Sequence, residues 1–320
     1  MEKQNRRVLI TGAGGFIGHH LARYLKSLGY WVRGVDLHLP EFSSEDEMDE
    51  FFVGDLTRPS TCLLATKSID WVYNLAALNG SIEFTTNNKA ELIHNNALIN
   101  LNMAEACRVN GVKRVFYSSS ACVYPIHYQD TMDIHAMKET DDMPAHPDTE
   151  YGWEKLFSEH VYNSFRDDYG LEVRIARFFN IYGPEGVLDT LKSKAPMALT
   201  KKVIESDGEV YVWGDGTQKR SFCYIQDCVE AIQLLMESDV TEPVNIGTSD
   251  LVSIGDLVDL IADIEGKKIT KVYQPEKVAG VQTRHADFSR AEELLGWKNK
   301  VGMREGMTEI NKFAHKILKK

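Results

Sequence analysis

The run Gly12-Ala13-Gly14-Gly15-Phe16-Ile17-Gly18 constrains this chain more than any other stretch. It lies between an apolar run, Arg7-Val8-Leu9-Ile10-Thr11, and residues 16–28, whose apolar positions 17, 21, 24, 25 and 28 follow a helical period. Glycines at 12, 15 and 18 let a strand turn sharply into a helix and let the backbone approach a bound group. Amides at a helix N-terminus favour an anion, so the pattern predicts a pyrophosphate site at a sheet edge. A ligand-free turn also fits these seven residues taken alone. Asp36 argues against that, because it closes the next β-rich run, Trp31-Val32-Arg33-Gly34-Val35-Asp36. A carboxylate there accepts hydrogen bonds from the adenosine ribose and repels a 2′-phosphate, which predicts NAD over NADP. Arg33 precedes Asp36 on the strand and makes only a thin case for NADP. Gly54-Asp55-Leu56 bring Asp55 and Leu56 toward the adenine, and Leu75, Ala76 and Ala77 supply small residues where sheet and cofactor meet. The expected cofactor contacts are therefore Gly12, Gly15, Phe16, Ile17, Gly18, Asp36, Asp55, Leu56, Leu75, Ala76 and Ala77.

Further apolar runs at 70–75 and 114–118 read as buried strands, with a helical period over 92–109 between them. Strand–helix alternation of this kind predicts an α/β fold, a Rossmann-type doubly wound parallel sheet. From Asn180 onward turn signals multiply, in Tyr182-Gly183-Pro184, Trp213-Gly214-Asp215-Gly216 and Asn245-Ile246-Gly247, which predicts a smaller α/β substrate-binding lobe. Residues near 222–236 are expected to return to the first lobe. The predicted division is 1–179 plus about 222–247 for the cofactor lobe, and 180–221 plus about 248–320 for the substrate lobe.

A formal charge of −11 disfavours nucleic acid and acidic membranes as partners. The five cysteines, at 62, 107, 122, 223 and 228, include no CxxC pair. Neither a disulfide framework nor a metal is expected, and a reducing cytoplasmic setting follows. No apolar stretch approaches the ~20 residues of a membrane span, and the N-terminal run reads as a strand rather than a signal peptide.

Tyr151-Gly152-Trp153-Glu154-Lys155 puts a tyrosine and a lysine on one helix face, where an ammonium can lower a phenol's pKa. YxxxK is common by chance and alone reads as a surface pair. Upstream, however, Ser118-Ser119-Ser120-Ala121-Cys122-Val123-Tyr124-Pro125 ends a buried strand, so that Ser120 can bridge Tyr151 and a substrate. Glycine loop, acidic strand end, serine strand end and YxxxK occur in that order.

With these residues the chain resembles the extended short-chain dehydrogenase/reductase family over essentially its whole length. Ser119-Ser120-Ala121-Cys122-Val123-Tyr124-Pro125 and Arg177-Phe178-Phe179-Asn180-Ile181-Tyr182-Gly183-Pro184, with Lys194-Ala195-Pro196, are similar to the branch that inverts GDP-mannose at C3 and C5. Trp213 to Phe222 and Pro243 to Gly247 carry motifs shared more widely among sugar-nucleotide enzymes. The resemblance implies Tyr151, Lys155 and Ser120 for transient oxidation at C4, with Tyr151 and Lys155 also contacting the NAD, and Cys122 with Lys194 as acid and base on opposite ring faces. It also implies a GDP-sugar substrate, contacted by Ser120, Asn180, Lys194, Lys202, Arg220 and Arg284, and a homodimer.

Each assignment has a plainer reading. Cys122 is also a small buried hydrophobe, and Lys194 a solvated lysine beside Lys192, Lys201 and Lys202. Relatives that dehydrate a sugar carry an Asp-Glu pair where this chain has Ala121-Cys122, which disfavours dehydration. Two segments depart from the epimerase pattern: 187–193, and Leu78-Asn79-Gly80-Ser81-Ile82-Glu83-Phe84. Both are expected to touch the sugar, which leaves open a hexose modified at C6, or a single inversion. The competing readings are a net reductase of a 4-keto GDP-sugar, which Asp36 disfavours, a UDP-sugar 4-epimerase, and a non-catalytic NAD-binding regulator.

Overall fold

The computed structural model describes residues 6–43, 47–131, 133–187, 193–277 and 280–318. Seven parallel strands form the main sheet: β1 (Arg7–Thr11), β2 (Trp31–Asp36), β3 (Glu50–Val53), β4 (Trp71–Asn74), β5 (Arg114–Ser120), β6 (Glu172–Phe178) and β11 (Val244–Ile246). Their order is β11-β6-β5-β4-β1-β2-β3. The chain therefore winds outward in one direction from β1 and then in the other from β4, leaving a switch point between those two strands. Ligands of such sheets bind at that crevice, beyond the carboxyl ends of the strands.

The period-2 alternation of β1 divides the core. Val8 and Ile10 join one apolar cluster, and Leu9 the other, all fully buried. On the first face pack α1 (Phe16–Ser27) and α7 (Ile225–Glu237). On the second pack α2 (Pro59–Ala65), α4 (Lys89–Asn110) and α5 (Glu150–Tyr169), while α3 (Ile82–Asn87) precedes α4. The first cluster runs on without a break into Val203, Val210, Leu257 and Ile310. These residues belong to α6 (Ala195–Glu205), β8 (Glu209–Trp213), α8 (Ile254–Glu265) and α10 (Met303–Leu318).

The remaining strands make small sheets. β7 (Ile181–Tyr182) pairs with β10 (Cys223–Tyr224), β9 (Lys219–Ser221) lies between β12 (Leu251–Ser253) and β14 (Thr283–Arg284), and β13 (Thr270–Gln274) pairs with β8. A last short helix, α9 (Ser289–Leu295), precedes α10.

Element boundaries differ modestly from those read in the sequence. α4 begins at Lys89, three residues before the predicted start, because Lys89-Ala90-Glu91 are exposed and carry no apolar period. β5 continues to Ser120, two residues beyond the apolar run, since Ser119 and Ser120 still pair with Arg177 and Phe178 of β6.

Behind that strand end lies an ionic cluster. Arg177 is 1 % exposed and donates to both Glu159 oxygens (3.0 and 2.7 Å) and to Asp142 (2.6 Å). Ser119 Oγ donates to the same Glu159. Burial disfavours the Arg177 charge, but Glu159, Tyr124 and Asp142 more than offset it and hold its pKa up. An Arg177→Met substitution strands the Glu159 carboxylate in the core, and is expected to cost about 3–5 kcal/mol in urea denaturation. Adding Glu159→Leu should recover much of that loss; a single variant as stable as the parent contradicts this account.

Candidate active site

The glycine loop is shaped by contact with β4. Gly12 has φ +68°, and a Cβ there would lie 3.0 Å from the Ala76 backbone. At Gly18 an added Cβ would meet Gly12 O at 2.0 Å. No side chain caps α1 at Gly15, and its first turn holds no acidic residue, so its leading amides suit an anion. Gly14 N donates to Asp36 Oδ2 (3.0 Å), which fixes the carboxylate of β2 beside the loop. Thr11 Oγ1 donates to Asn74 Oδ1 (2.7 Å) and accepts from Leu75 N and Ala76 N (both 3.1 Å). These residues fit a dinucleotide: a cradle that side chains would fill, an uncapped helix start and a carboxylate at the next strand end. Asp55 is more committed than the sequence suggested. Its carboxylate accepts from Thr57 N and Oγ1, which lower its pKa, and neighbouring Leu56 is buried.

The second half of the site forms where β5 ends. Ser120 opens a 3-10 turn over Ala121–Val123, its Oγ accepting from Cys122 N (3.2 Å). Helix α5 packs directly on this turn. Thr149 caps its start through Gly152 N, and a Cβ at Gly152 would lie 2.1 Å from Cys122 O. Only glycine allows that approach, and it brings Tyr151 to Ser120 and Cys122.

Burial, Cys122 and Glu154 push the Tyr151 phenol well above its ordinary pKa, and a Ser120 hydrogen bond opposes them. The lowering expected from Lys155 is not among the influences on the phenol. Lys155 Nζ donates to Ser118 O (2.8 Å) and lies over the Tyr151 ring, 5.5 Å from its centroid. Burial also pulls the lysine's own pKa down, against Glu154, Cys122 and Glu159.

Lys194, at the start of α6, donates to Gly80 O (2.7 Å). The residue as a whole is exposed, while its ammonium is partly desolvated beside Gly80. That desolvation lowers its pKa; Cys122 opposes the shift and Arg284 adds to it. Arg284, expected on a diphosphate, instead spends its nitrogens on Gln129 Oε1 (2.6 Å), Cys122 Sγ (3.1 Å) and Asp148 Oδ2 (2.8 Å). Arg220 donates to Val281 O and Lys219 O, and burial with Arg284 pulls its pKa down to about 9. Asn180, at φ +41°, donates to Ser221 O (2.9 Å) and so fastens β7 to β9. Lys202 stands apart: it donates to Tyr211 O (2.9 Å) and lies 5.7 Å from the Trp213 ring centroid, bracing α6 on β8.

Gln129 and Asp148 escaped the sequence reading, whereas Gly80 lies in a segment already expected to touch the sugar. Asp148 had one available signal, its place just before the Thr149 cap, whereas Gln129 had none. Of the divergent segment 187–193, residues 188–192 lie outside the described ones.

The NAD dependent epimerase/dehydratase family matches residues 8–247. GDP-mannose 3,5-epimerase of Arabidopsis thaliana is 41% identical over 305 residues, covering 95% of this chain and 81% of that protein. GDP-mannose 3,5-epimerase 1 of Oryza sativa subsp. indica is 41% identical over 302 residues, 94% of this chain and 79% of that protein. Among solved structures, UDP-glucose 4-epimerase of Thermotoga maritima with UDP-glucose superposes with a TM-score of 0.87 at 26% identity, covering 98% of this chain and 99% of that one. UDP-glucuronic acid 4-epimerase of Bacillus cereus, in complex with UDP-glucuronic acid and NAD, gives 0.82 at 27% identity, with 97% and 99% covered.

The depressed Lys194 can be read directly. Competitive labelling with acetic anhydride across pH should titrate Lys194 below the ~10.4 of exposed lysines. Arg284→Met should move it upward, because a neighbouring positive charge is removed. A Lys194 that titrates with the surface lysines contradicts the desolvation described here.

Proposed function

Because the chain belongs to the NAD dependent epimerase/dehydratase family, we propose that it inverts ring carbons of a GDP-linked hexose, with GDP-mannose the first substrate to test. Its 41% identity to GDP-mannose 3,5-epimerases over 95% of its length supports the sugar. What supports the chemistry is that Lys194, 72 positions from Cys122, is close enough to feel its charge, as Tyr151 is.

NAD, held by Gly12, Gly15, Phe16, Ile17, Gly18, Asp36, Leu75, Ala76 and Ala77, supplies reversible oxidation at sugar C4. Tyr151 takes the C4 hydroxyl proton and later returns it, Ser120 orients that hydroxyl, and Lys155 holds Tyr151 and the cofactor ribose. The 4-ketone acidifies the C–H bonds at C3 and C5. Cys122 and Lys194 then exchange protons on opposite faces, one leaving and one arriving at each inverted carbon, so atoms balance and no net redox change results. Desolvation that lowers the Lys194 pKa favours its use as a base. Arg220, a crowded guanidinium, suits the diphosphate end of the substrate, while Arg284, committed to Asp148 and Gln129, faces the thiol.

A specific contact favours a variant sugar as the second reading. Lys194 is anchored on Gly80, within the segment where this chain departs from the epimerase pattern, so a changed 78–84 loop repositions the acid/base itself. Incubation in deuterated water with NMR detection separates the cases. Deuterium at both C3 and C5 of GDP-mannose, without added NADH, is expected; C5 alone leaves a single inversion, and neither carbon rejects GDP-mannose. Tyr151→Phe should lower kcat by about 100- to 10,000-fold, and Cys122→Ser or Lys194→Met should stop exchange.

The same reading includes a homodimer and a cytoplasmic setting. Ile93 and Leu101 on α4, and Trp153 and Phe157 on α5, are large apolar side chains left exposed at helical spacing, a surface suited to a four-helix contact across a two-fold axis. All five cysteines are free, which suits a reducing compartment, and no described helix is long and apolar enough to cross a membrane. Leu101→Glu with Phe157→Glu should halve the mass in light scattering. A parent chain that already runs as a monomer overturns the dimer.

A further inference from the structure

A second cluster of chemically capable groups lies on the first turns of α1, outside the set assigned to the reaction. His19 and His20 are both buried, their ring centroids 4.4 Å apart. Facing them is Glu185, in the loop after β7, held at φ +61°. Glu185 Oε2 lies 3.1 Å from His19 Nε2 and 3.7 Å from His20 Nε2. One ligand atom from each of the three residues lies within 4.8 Å of the other two.

Hydrogen bonding limits what each nitrogen can do. His19 Nδ1 is 2.9 Å from Gly15 O, a contact that only an Nδ1–H can satisfy. In a neutral ring, Nε2 is then a lone pair aimed at a carboxylate oxygen, acceptor against acceptor. His20 Nε2 is 3.2 Å from Pro184 O, while its Nδ1 is buried without a partner. Arg23 Nη1 donates to Glu185 Oε2 (3.1 Å), but Arg23 Nε also serves Glu47 (3.0 Å), whose second oxygen is buried and unpartnered. Glu185 Oε2 is thus the one carboxylate oxygen that both imidazoles face, and it is shared with Arg23.

We infer that His19, His20 and Glu185 form a site for one divalent transition-metal ion of the zinc class. Two nitrogens and a carboxylate oxygen are ordinary zinc ligands, and ligands at about 2.1 Å in tetrahedral array stand about 3.4 Å apart. The observed 3.1 and 3.7 Å bracket that spacing. The His19 Nδ1–Gly15 bond is the outer-shell contact that orients a ligating imidazole and frees its other nitrogen. His20 gives up Pro184 O on ligation, and water completes the sphere. The ion clamps α1, which leaves the glycine loop, to the segment that leads toward Lys194. The inference is independent of the substrate proposed above.

The test uses tag-free, full-length protein stripped with a chelator and titrated with zinc chloride against a chromophoric chelator, with cobalt(II) as the spectroscopic probe. One equivalent should bind. Cobalt should give the visible bands of a tetrahedral N/O site without thiolate charge transfer, which separates it from the cysteines. Zinc should also raise Tm, as any ligand specific to the folded state does. Glu185→Gln and His19→Gln should keep the parent's circular dichroism and lose affinity by about 100-fold or more, beyond the ~10–100-fold typical of outer-shell changes. Absence of stoichiometric uptake by the parent overturns the inference and leaves a protonated His19 paired with Glu185. Undiminished uptake by a folded Glu185→Gln, or a thiolate band with cobalt, overturns it as well. The parent's titration and cobalt spectrum decide the question even if a variant does not fold.

Discussion

Thr11 is the clasp on which the rest of this architecture depends. From the end of β1 its hydroxyl donates to Asn74 and accepts two amides beyond β4, closing the sheet at the point where its winding reverses. The closure brings Ala76 so near Gly12 that no side chain fits between them. Asn74 carries the connection onward, donating to Asn100 of α4 (2.8 Å) and Tyr162 of α5 (2.7 Å), while Asn100 donates to Glu154 (2.8 Å). One buried hydrogen-bond network thus runs from the glycine loop to the helix that carries Tyr151 and Lys155. Such networks are costly to break in a low-dielectric interior, so cofactor groove and YxxxK helix are held in fixed relation.

Charge in the cleft runs opposite to charge on the whole chain. The protein carries −11, yet Lys194, Arg220 and Arg284 gather near Cys122, with Asp148 as the carboxylate beside the two arginines. Burial and mutual repulsion depress Lys194 and Arg220, while Cys122 and Asp148 hold Arg284 charged. A local cationic pocket can therefore draw a diphosphate into an acidic protein, because groups within a few ångströms outweigh distant surface charge that water and salt screen.

The core explains why no linker was visible. The cluster on the α1 face of the sheet passes through Met197, Val203 and Val212 to Leu257 and Ile310 without a polar break. β11 enters the main sheet beside β6, while β8 and β9, before it in the chain, pair with β12, β13 and β14 after it. Chain that leaves and re-enters a common core needs no Pro- or Gly-rich connector, so composition has nothing to mark.

The sequence by itself determined the features that arise from local stereochemistry. Glycines at 12 and 18, an acid closing the next strand, an apolar run buried on both faces, and Tyr151 with Lys155 on one helix face each follow from spacing within a single element or turn. Lys155 was legible as a neighbour of Tyr151, but its effect on the phenol was not, since Ser118 O claims its ammonium and burial dominates. Tertiary structure alone decided the pairings between distant segments. Arg284 came to face Cys122 and Asp148, Lys194 to rest on Gly80, Lys202 to stand apart, and Glu185 to meet the two histidines beyond the glycine loop. Those contacts depend on how separate loops cross the carboxyl edge of one sheet. A local pattern fixes where a side chain leaves its backbone, and only the packed fold fixes which charge it meets.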